Sequence, residues 1–398
     1  MEPEGIAVAT YGRQRYVFVG LERANLVAIY RVSDPRRPEL VQAVPTGVGP
    51  EGLLPLPQRD ALVVAAEADS AADNVRSSIS TYRMTRLPLL LALGRNAAAP
   101  SIVSAGNPPL GFGALSGLDA VPGIPGIFGG LVAVSDNAYR PTRVLRIDAL
   151  LRPAVLTDEL TVTNDGAPVG YDAEGIAARP GGGYWIAAEG NPREGVANLL
   201  VELDGRGAVI REVPLPAQVA AGATSNGFEG VTTIGQGTDE QVWVAVQREW
   251  ADDPRGQVKL ARFTPATGAW DFVAYPLDPA PAGATVGVSE ITTVDNDTLL
   301  VLERDNRRGD DAQIKKVTRV ELAGVTPVLA GTPRPVLVKQ TVLDLIPALR
   351  AGGGVVADKP EGLAITGLGE MVGVVDNDGL DDAPGESVLL RLGRAPRQ

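Results

Sequence analysis

Carboxylates recur in this chain at two fixed places of a repeated unit. Glu4, Glu51, Glu174, Glu229, Glu290 and Glu361 each open a short apolar run, usually with glycine next, and Ser116-Gly117 takes the same place in the third unit. Thirteen to twenty residues later a second apolar run ends at Glu22, Glu67, Asp136, Glu189, Gln247, Glu303 and Asp376 in turn. The chain has no histidine and no cysteine. Ser-His-Asp and Cys-His catalysis are therefore excluded, since both need an imidazole to take and return a proton. Zinc, which favours nitrogen and sulfur, is poorly served. Oxygen-only ligands suit calcium first, then magnesium or manganese.

The elements that must hold these acids are strands. Openings at residues 4, 51, 116, 174, 229, 290 and 361 lie 47 to 71 residues apart, a period typical of propeller blades. After each second anchor comes a third run with period-two alternation, such as Leu26–Tyr30 or Val388–Arg391. Fourth strands are expected at Glu39–Pro45, Val155–Val162, Asp271–Leu277 and Val336–Gln340. The spacing thus predicts an all-β chain, a seven-bladed β-propeller forming one domain over residues 1–398. Helical stretches are expected only at Leu87–Leu93 and Thr341–Arg350. The seventh unit offers three strands before Gln398, so its outer strand is expected to be missing. Because a bare edge is a liability, upstream sequence that closed the ring is expected to have been removed before Met1.

A net charge of −12 argues against nucleic acid as a partner, and no apolar run is long enough to span a membrane as a helix. Carboxylates converging on a channel mouth repel unless a cation, an arginine or backbone N–H groups compensate them. A bland reading competes: each Glu-Gly braces one blade against the next, the carboxylate capping backbone donors and the glycine permitting close approach. Arg23, Arg248 and Arg304 follow the second anchor in their units and are placed to hold a phosphate or carboxylate, or else simply to pair with neighbouring acids. Asp376-Asn377-Asp378-Gly379-Leu380-Asp381-Asp382 is dense in oxygen ligands, without the helix of a helix-flanked calcium loop.

Tyr171-Asp172-Ala173-Glu174-Gly175-Ile176, Ser225-Asn226-Gly227-Phe228-Glu229-Gly230-Val231, Lys359-Pro360-Glu361-Gly362-Leu363 and Val375-Asp376-Asn377-Asp378-Gly379 resemble the phytase-like, "esterase-like" propeller family of bacteria, from about residue 110 onward. Gly49-Pro50-Glu51-Gly52-Leu53 also resembles choice-of-anchor propellers of secreted and surface proteins. The resemblance implies an exported protein, extracellular or periplasmic, often part of a longer chain or bound at the cell surface. It further implies hydrolysis of small phosphate or carboxylic esters with calcium. Within that reading Glu51, Glu174, Glu229, Glu361 and Asp376 are the expected metal ligands. Glu189 or Glu303 is the expected general base, and Arg248 or Arg304 the group that steadies negative charge. The alternatives are a calcium-braced binding propeller without catalysis and a gluconolactonase-like lactonase.

Overall fold

The computed structural model describes residues 2–69, 77–84, 101–104, 110–121, 130–151, 153–350, 356–377 and 387–396. The chain is all-β, built from antiparallel meanders that follow one another along the sequence. The first sheet has four strands, opening at Pro3–Tyr11, and the second has three among the described residues, opening at Pro50–Leu56. The third opens at Leu115–Ala120 and gains a fifth strand, Ile102–Ser104, parallel to its outer strand. The fourth, fifth and sixth have four strands each and open at Ala173–Ala178, Phe228–Ile234 and Val286–Asp295. The seventh opens at Lys359–Ile365 and has three strands among the described residues, the expected short blade.

Most expected fourth strands are present, at Glu39–Pro45, Ala154–Thr161 and Ala269–Pro276. The sixth differs. Its outer strand is Lys339–Asp344, whereas Val336 bridges to Ala274 on the fifth sheet, so this segment first borrows the neighbour's edge. Thr341–Arg350 divides likewise between that strand and a single helical turn, Ile346–Arg350. Leu87–Leu93 lies outside the described residues.

A β-bulge sits at the repeated acid or serine in six sheets, with the register shifting across Glu4, Glu51, Ser116, Glu174, Glu229-Gly230 and Glu361, and one residue earlier in the sixth, across Ser289 before Glu290. A bulge adds one residue to its strand and re-aims the side chain there. The glycine that follows is required by packing. A Cβ on Gly117 would lie 2.7 Å from Gly175 Cα, one on Gly175 2.5 Å from the Glu229 carbonyl oxygen, and one on Gly230 2.4 Å from the Ile291 nitrogen. A Cβ on Gly362 would lie 2.7 Å from Leu118 Cβ. These approaches run third to fourth, fourth to fifth, fifth to sixth, and seventh back to third.

The hydrophobic core repeats that order. One cluster each joins the third and fourth, fourth and fifth, fifth and sixth, and sixth and seventh sheets, and another joins the seventh to the third through Leu118, Leu131, Val372 and Val374. The first and second sheets share a cluster of their own, Phe18, Val27, Leu62 and Val64 among its members, with no residue from the other five. Among the described residues the ring drawn by these contacts has five members rather than the expected seven, and the first two sheets pair with each other as a two-sheet unit. Ile6 shows the consequence: it is 73% exposed, while its counterpart Ile176 is fully buried.

Candidate functional site

Ring closure gathers the acids of four sheets at one end of the opening strands. Asp172, Glu174 and Glu189 come closest together, each offering a carboxylate oxygen within 4.8 Å of the others. Local pairing explains this. Glu189 ends the strand antiparallel to Ala173–Ala178, and its N–H donates to the Asp172 carbonyl, so the two face each other across the hairpin mouth. Glu174, the extra residue of the bulge, swings in between. One Glu189 oxygen accepts the Gly227 N–H at 2.7 Å, and the other accepts no hydrogen bond among the described residues.

Around this triad stand Glu229, Glu361, Asp136, Asp376 and Lys359. Glu229 is buried and accepts from Gln247 Nε2 at 2.5 Å. Lys359 reaches Asp376 at 3.4 Å. Glu361 takes the Arg304 guanidinium at 2.5 Å, and Arg304 also contacts Ser289 at 2.8 Å and Asp358 at 3.4 Å.

The electrostatics show a crowd of carboxylates short of positive charge. Burial, then the charges of Glu229, Glu361, Glu189 and Asp172, raises the Glu174 carboxyl well above its usual range. Glu229 is raised well above its range by burial, then by Glu361 and Glu189, against Arg304 and Lys359. Burial, with Asp172 and Glu361, takes Glu189 to about 7 despite the Gly227 N–H and Lys359, and burial takes Asp136 to about 6. For Arg304, burial alone would weaken the proton's hold, but Glu361 and Asp358 reverse it and the guanidinium is held more tightly than usual. Arg248 goes the other way, lowered by burial and by Arg304.

A family model described as phytase-like, "Esterase-like activity of phytase", matches residues 110–379. The chain belongs to that family. The match begins just before the opening strand of the third sheet and takes in the opening strands of all five ring sheets. It leaves out the two-sheet unit. No curated protein matches this phytase-like chain. Among solved structures, the periplasmic gluconolactonase of Pseudomonas aeruginosa is similar at 14% identity over 98% of this chain and 99% of that one, with a TM-score of 0.35. A functionally unknown protein from Desulfotomaculum acetoxidans is similar at 14% identity over 84% and 88% of the two chains, with a TM-score of 0.28.

Of the expected site residues of this phytase-like chain, Glu174, Glu189, Glu229, Glu361, Asp376, Arg248 and Arg304 fall in or beside the cluster. Two do not. Glu51 is exposed on the second sheet, away from the acids of the ring. Glu303 is fully buried on the far side of its strand, where Tyr275 Oη (2.5 Å), the Asp278 N–H (2.8 Å) and Lys339 Nζ (2.7 Å) occupy its oxygens. It is a packing anchor between the fifth and sixth sheets, with no oxygen left for a proton from substrate. Arg23 is likewise remote, paired with Glu2 at 2.6 Å. Asp378 to Asp382 of the acidic loop lie outside the described residues. Asp172 and Lys359 are the members that the motif reading passed over. The signal for Asp172 was the Asp-x-Glu spacing opposite a strand ending in Glu189.

The residues fit a divalent cation that prefers oxygen. Three carboxylates within 4.8 Å, with raised proton affinities, form a site that lacks positive charge rather than one already neutralised. Another acidic triad, Glu2, Glu4 and Glu22, has two exposed members, Glu2 and Glu4, and a half-buried Glu22, and Glu2 is salt-bridged to Arg23. It needs no ion to be stable in water.

Proposed function

We propose that this protein hydrolyses small phosphate or carboxylic esters at the acid cluster of the five-sheet ring, with a divalent cation bound there, calcium before magnesium or manganese. The observation that carries the reading is the Asp172, Glu174 and Glu189 triad inside the span matched by the family. Asp172 and Glu174 are the ligands, and the cation supplies charge neutralisation and polarisation of the ester. The open oxygen of Glu189 takes the proton from the attacking water and returns it to the leaving oxygen. Glu229, steadied by Gln247, and Glu361, steadied by Arg304, wall the site and keep Glu189 in place. Arg248 meets the negative charge that grows on the ester. Calcium at the affinities of extracellular modules suits an exported protein, and that location belongs to the same proposal.

The test is thermal unfolding of chelator-treated protein titrated with calcium and then magnesium, with phosphate and carboxylic esters assayed in the same samples. A cation-dependent rise in melting temperature with cation-dependent turnover is expected. A rise without turnover would make the protein a cation-braced binding propeller. No rise would leave the acids as blade braces.

A further inference from the structure

Three arginines follow the second anchor of their sheets, and two are committed. Arg23 is paired with Glu2, and Arg304 with Glu361, Asp358 and Ser289. Arg248 is different: it has no hydrogen-bond or ion-pair partner among the described residues, and its Nε is buried without an acceptor. Beside it, Gln247 gives Nε2 to Glu229, which turns its Oε1 into a buried spot with no donor. Two adjacent residues thus hold one unmet donor and one unmet acceptor, an arrangement folded proteins seldom leave empty. The cost of burying each is recovered only by a ligand or by ordered water.

The neighbouring strand makes room for the pair. Gly287, on the opening strand of the sixth sheet, lies beside them, and a Cβ there would lie 2.9 Å from the Gln247 carbonyl oxygen, 3.3 Å from Gln247 Cγ and 3.4 Å from Arg248 Cγ. The Val288 N–H ties to that same carbonyl at 3.0 Å, fixing the strand end that carries both side chains. Gln247 and Arg248 are each half-buried, so part of each side chain meets solvent beside the buried atoms.

We infer that Gln247 and Arg248 form a recognition subsite for an organic anion bearing a hydroxyl group next to its charged group, the oxyanion on Arg248 and the hydroxyl donating to Gln247 Oε1. The inference deepens the functional reading and rests on it for the place of the reacting ester, beside Glu229. A planar guanidinium accepts carboxylate and phosphate oxygens alike. The shared chemistry is therefore a vicinal hydroxy-anion, and the hydroxyl is the feature that Gln247 selects.

Binding without turnover separates this from the hydrolase proposal. Calorimetric titration uses two matched pairs, lactate against propionate and glycerol 1-phosphate against propyl phosphate, in calcium and again in chelator. The hydroxylated member of at least one pair should bind about five- to tenfold more tightly, the worth of one well-placed hydrogen bond to a buried acceptor. The pair that binds tells carboxylate from phosphate. Gln247→Leu should erase that preference while anions still bind, and Arg248→Gln should lose both. Equal affinity within both pairs, undiminished binding by Arg248→Gln, or no binding of any probe by the unaltered protein overturns the inference. Failure of ester turnover alone leaves it standing.

Discussion

The two-sheet unit and the five-sheet ring carry the same motif and put it to different ends. Glu4-Gly5-Ile6 and Glu174-Gly175-Ile176 share a bulge at the glutamate and a glycine pressed against the next sheet, with Gly5 2.6 Å and Gly175 2.5 Å from a neighbouring carbonyl oxygen if given a Cβ. Yet Glu4 is exposed, whereas Glu174 sits among Glu229, Glu361, Glu189 and Asp172 and burial with their charges raises its carboxyl well above the usual range. The motif therefore specifies how one opening strand meets the next. Glu174 and Glu229 crowd under burial only where the meetings close on themselves, because closure removes water from between carboxylates that would otherwise be screened.

Breaking the triad should separate the two regions most sharply. Asp172→Asn with Glu174→Gln is expected to remove the calcium-dependent rise in melting temperature and to lower kcat/KM on the order of a thousandfold, the scale of losing the charge that stabilises an ester's transition state. Glu4→Gln with Glu51→Gln should change neither. Calcium titration of both double variants is the check, and a response to the second pair would move the working site out of the ring.

Glu303 sharpens the contrast inside the ring itself. It occupies the second anchor like Glu189, but its oxygens are held by Tyr275, Asp278 and Lys339. Glu303→Leu should destabilise the protein by about 3 kcal/mol, because Lys339 loses a buried partner. Calcium affinity should not move. Urea unfolding with and without calcium distinguishes this anchor from a metal ligand, for which the two curves would converge.

These two residues also show what was legible before the structure. The openings and the strand order read directly from sequence, since the bulge, the glycine and the alternation are local signals. Which sheet closes the ring is not local. Gly52-Leu53 and Gly362-Leu363 look alike as text, but a Cβ on Gly52 would meet only Ala65 of its own sheet, while one on Gly362 would meet Leu118, 244 residues away in sequence. The count of seven openings therefore survives as seven sheets without giving the size of the ring. Glu303 was drawn from the site by partners on outer strands, which the acid repeat does not encode. Asp172 entered it through hairpin pairing opposite Glu189.

A smaller effect tests how rigid closure is. Gly175→Ala and Gly5→Ala demand similar local relief, since each Cβ would press on backbone within 2.6 Å. In the ring, the fourth sheet is wedged between two neighbours and has no free direction. Among the described residues the first sheet shares its hydrophobic cluster with the second alone, so it is expected to yield more easily. Gly175→Ala should cost about 3 kcal/mol and Gly5→Ala about 1 kcal/mol, within the range for overpacking. Equal losses in urea unfolding would mean that the two-sheet unit is as tightly confined as the ring.

The smallest effect concerns Asp119, on the opening strand of the third sheet, where it accepts the Ala178 N–H at 2.8 Å and the Ala120 N–H at 2.7 Å. It retains some contact with solvent but is surrounded by protein, and burial raises its carboxyl from 3.8 to about 7 against those two donors. The sign follows from proton counting. Between about pH 4 and 7 the folded chain keeps a proton on Asp119 that the unfolded chain has released, so folding stability falls as pH rises through this window. The slope from this one group is at most 2.3RT, about 1.4 kcal/mol per pH unit. Asp119→Asn cannot ionise, and it gives up one of the two N–H bonds at every pH. Its disadvantage against the unaltered protein should therefore shrink steadily from pH 4.5 to 7 in chelator and then level off. A difference that stays flat across that range would mean that Asp119 is already ionised, and that water reaches the inner strands of the ring as freely as it reaches the two-sheet unit.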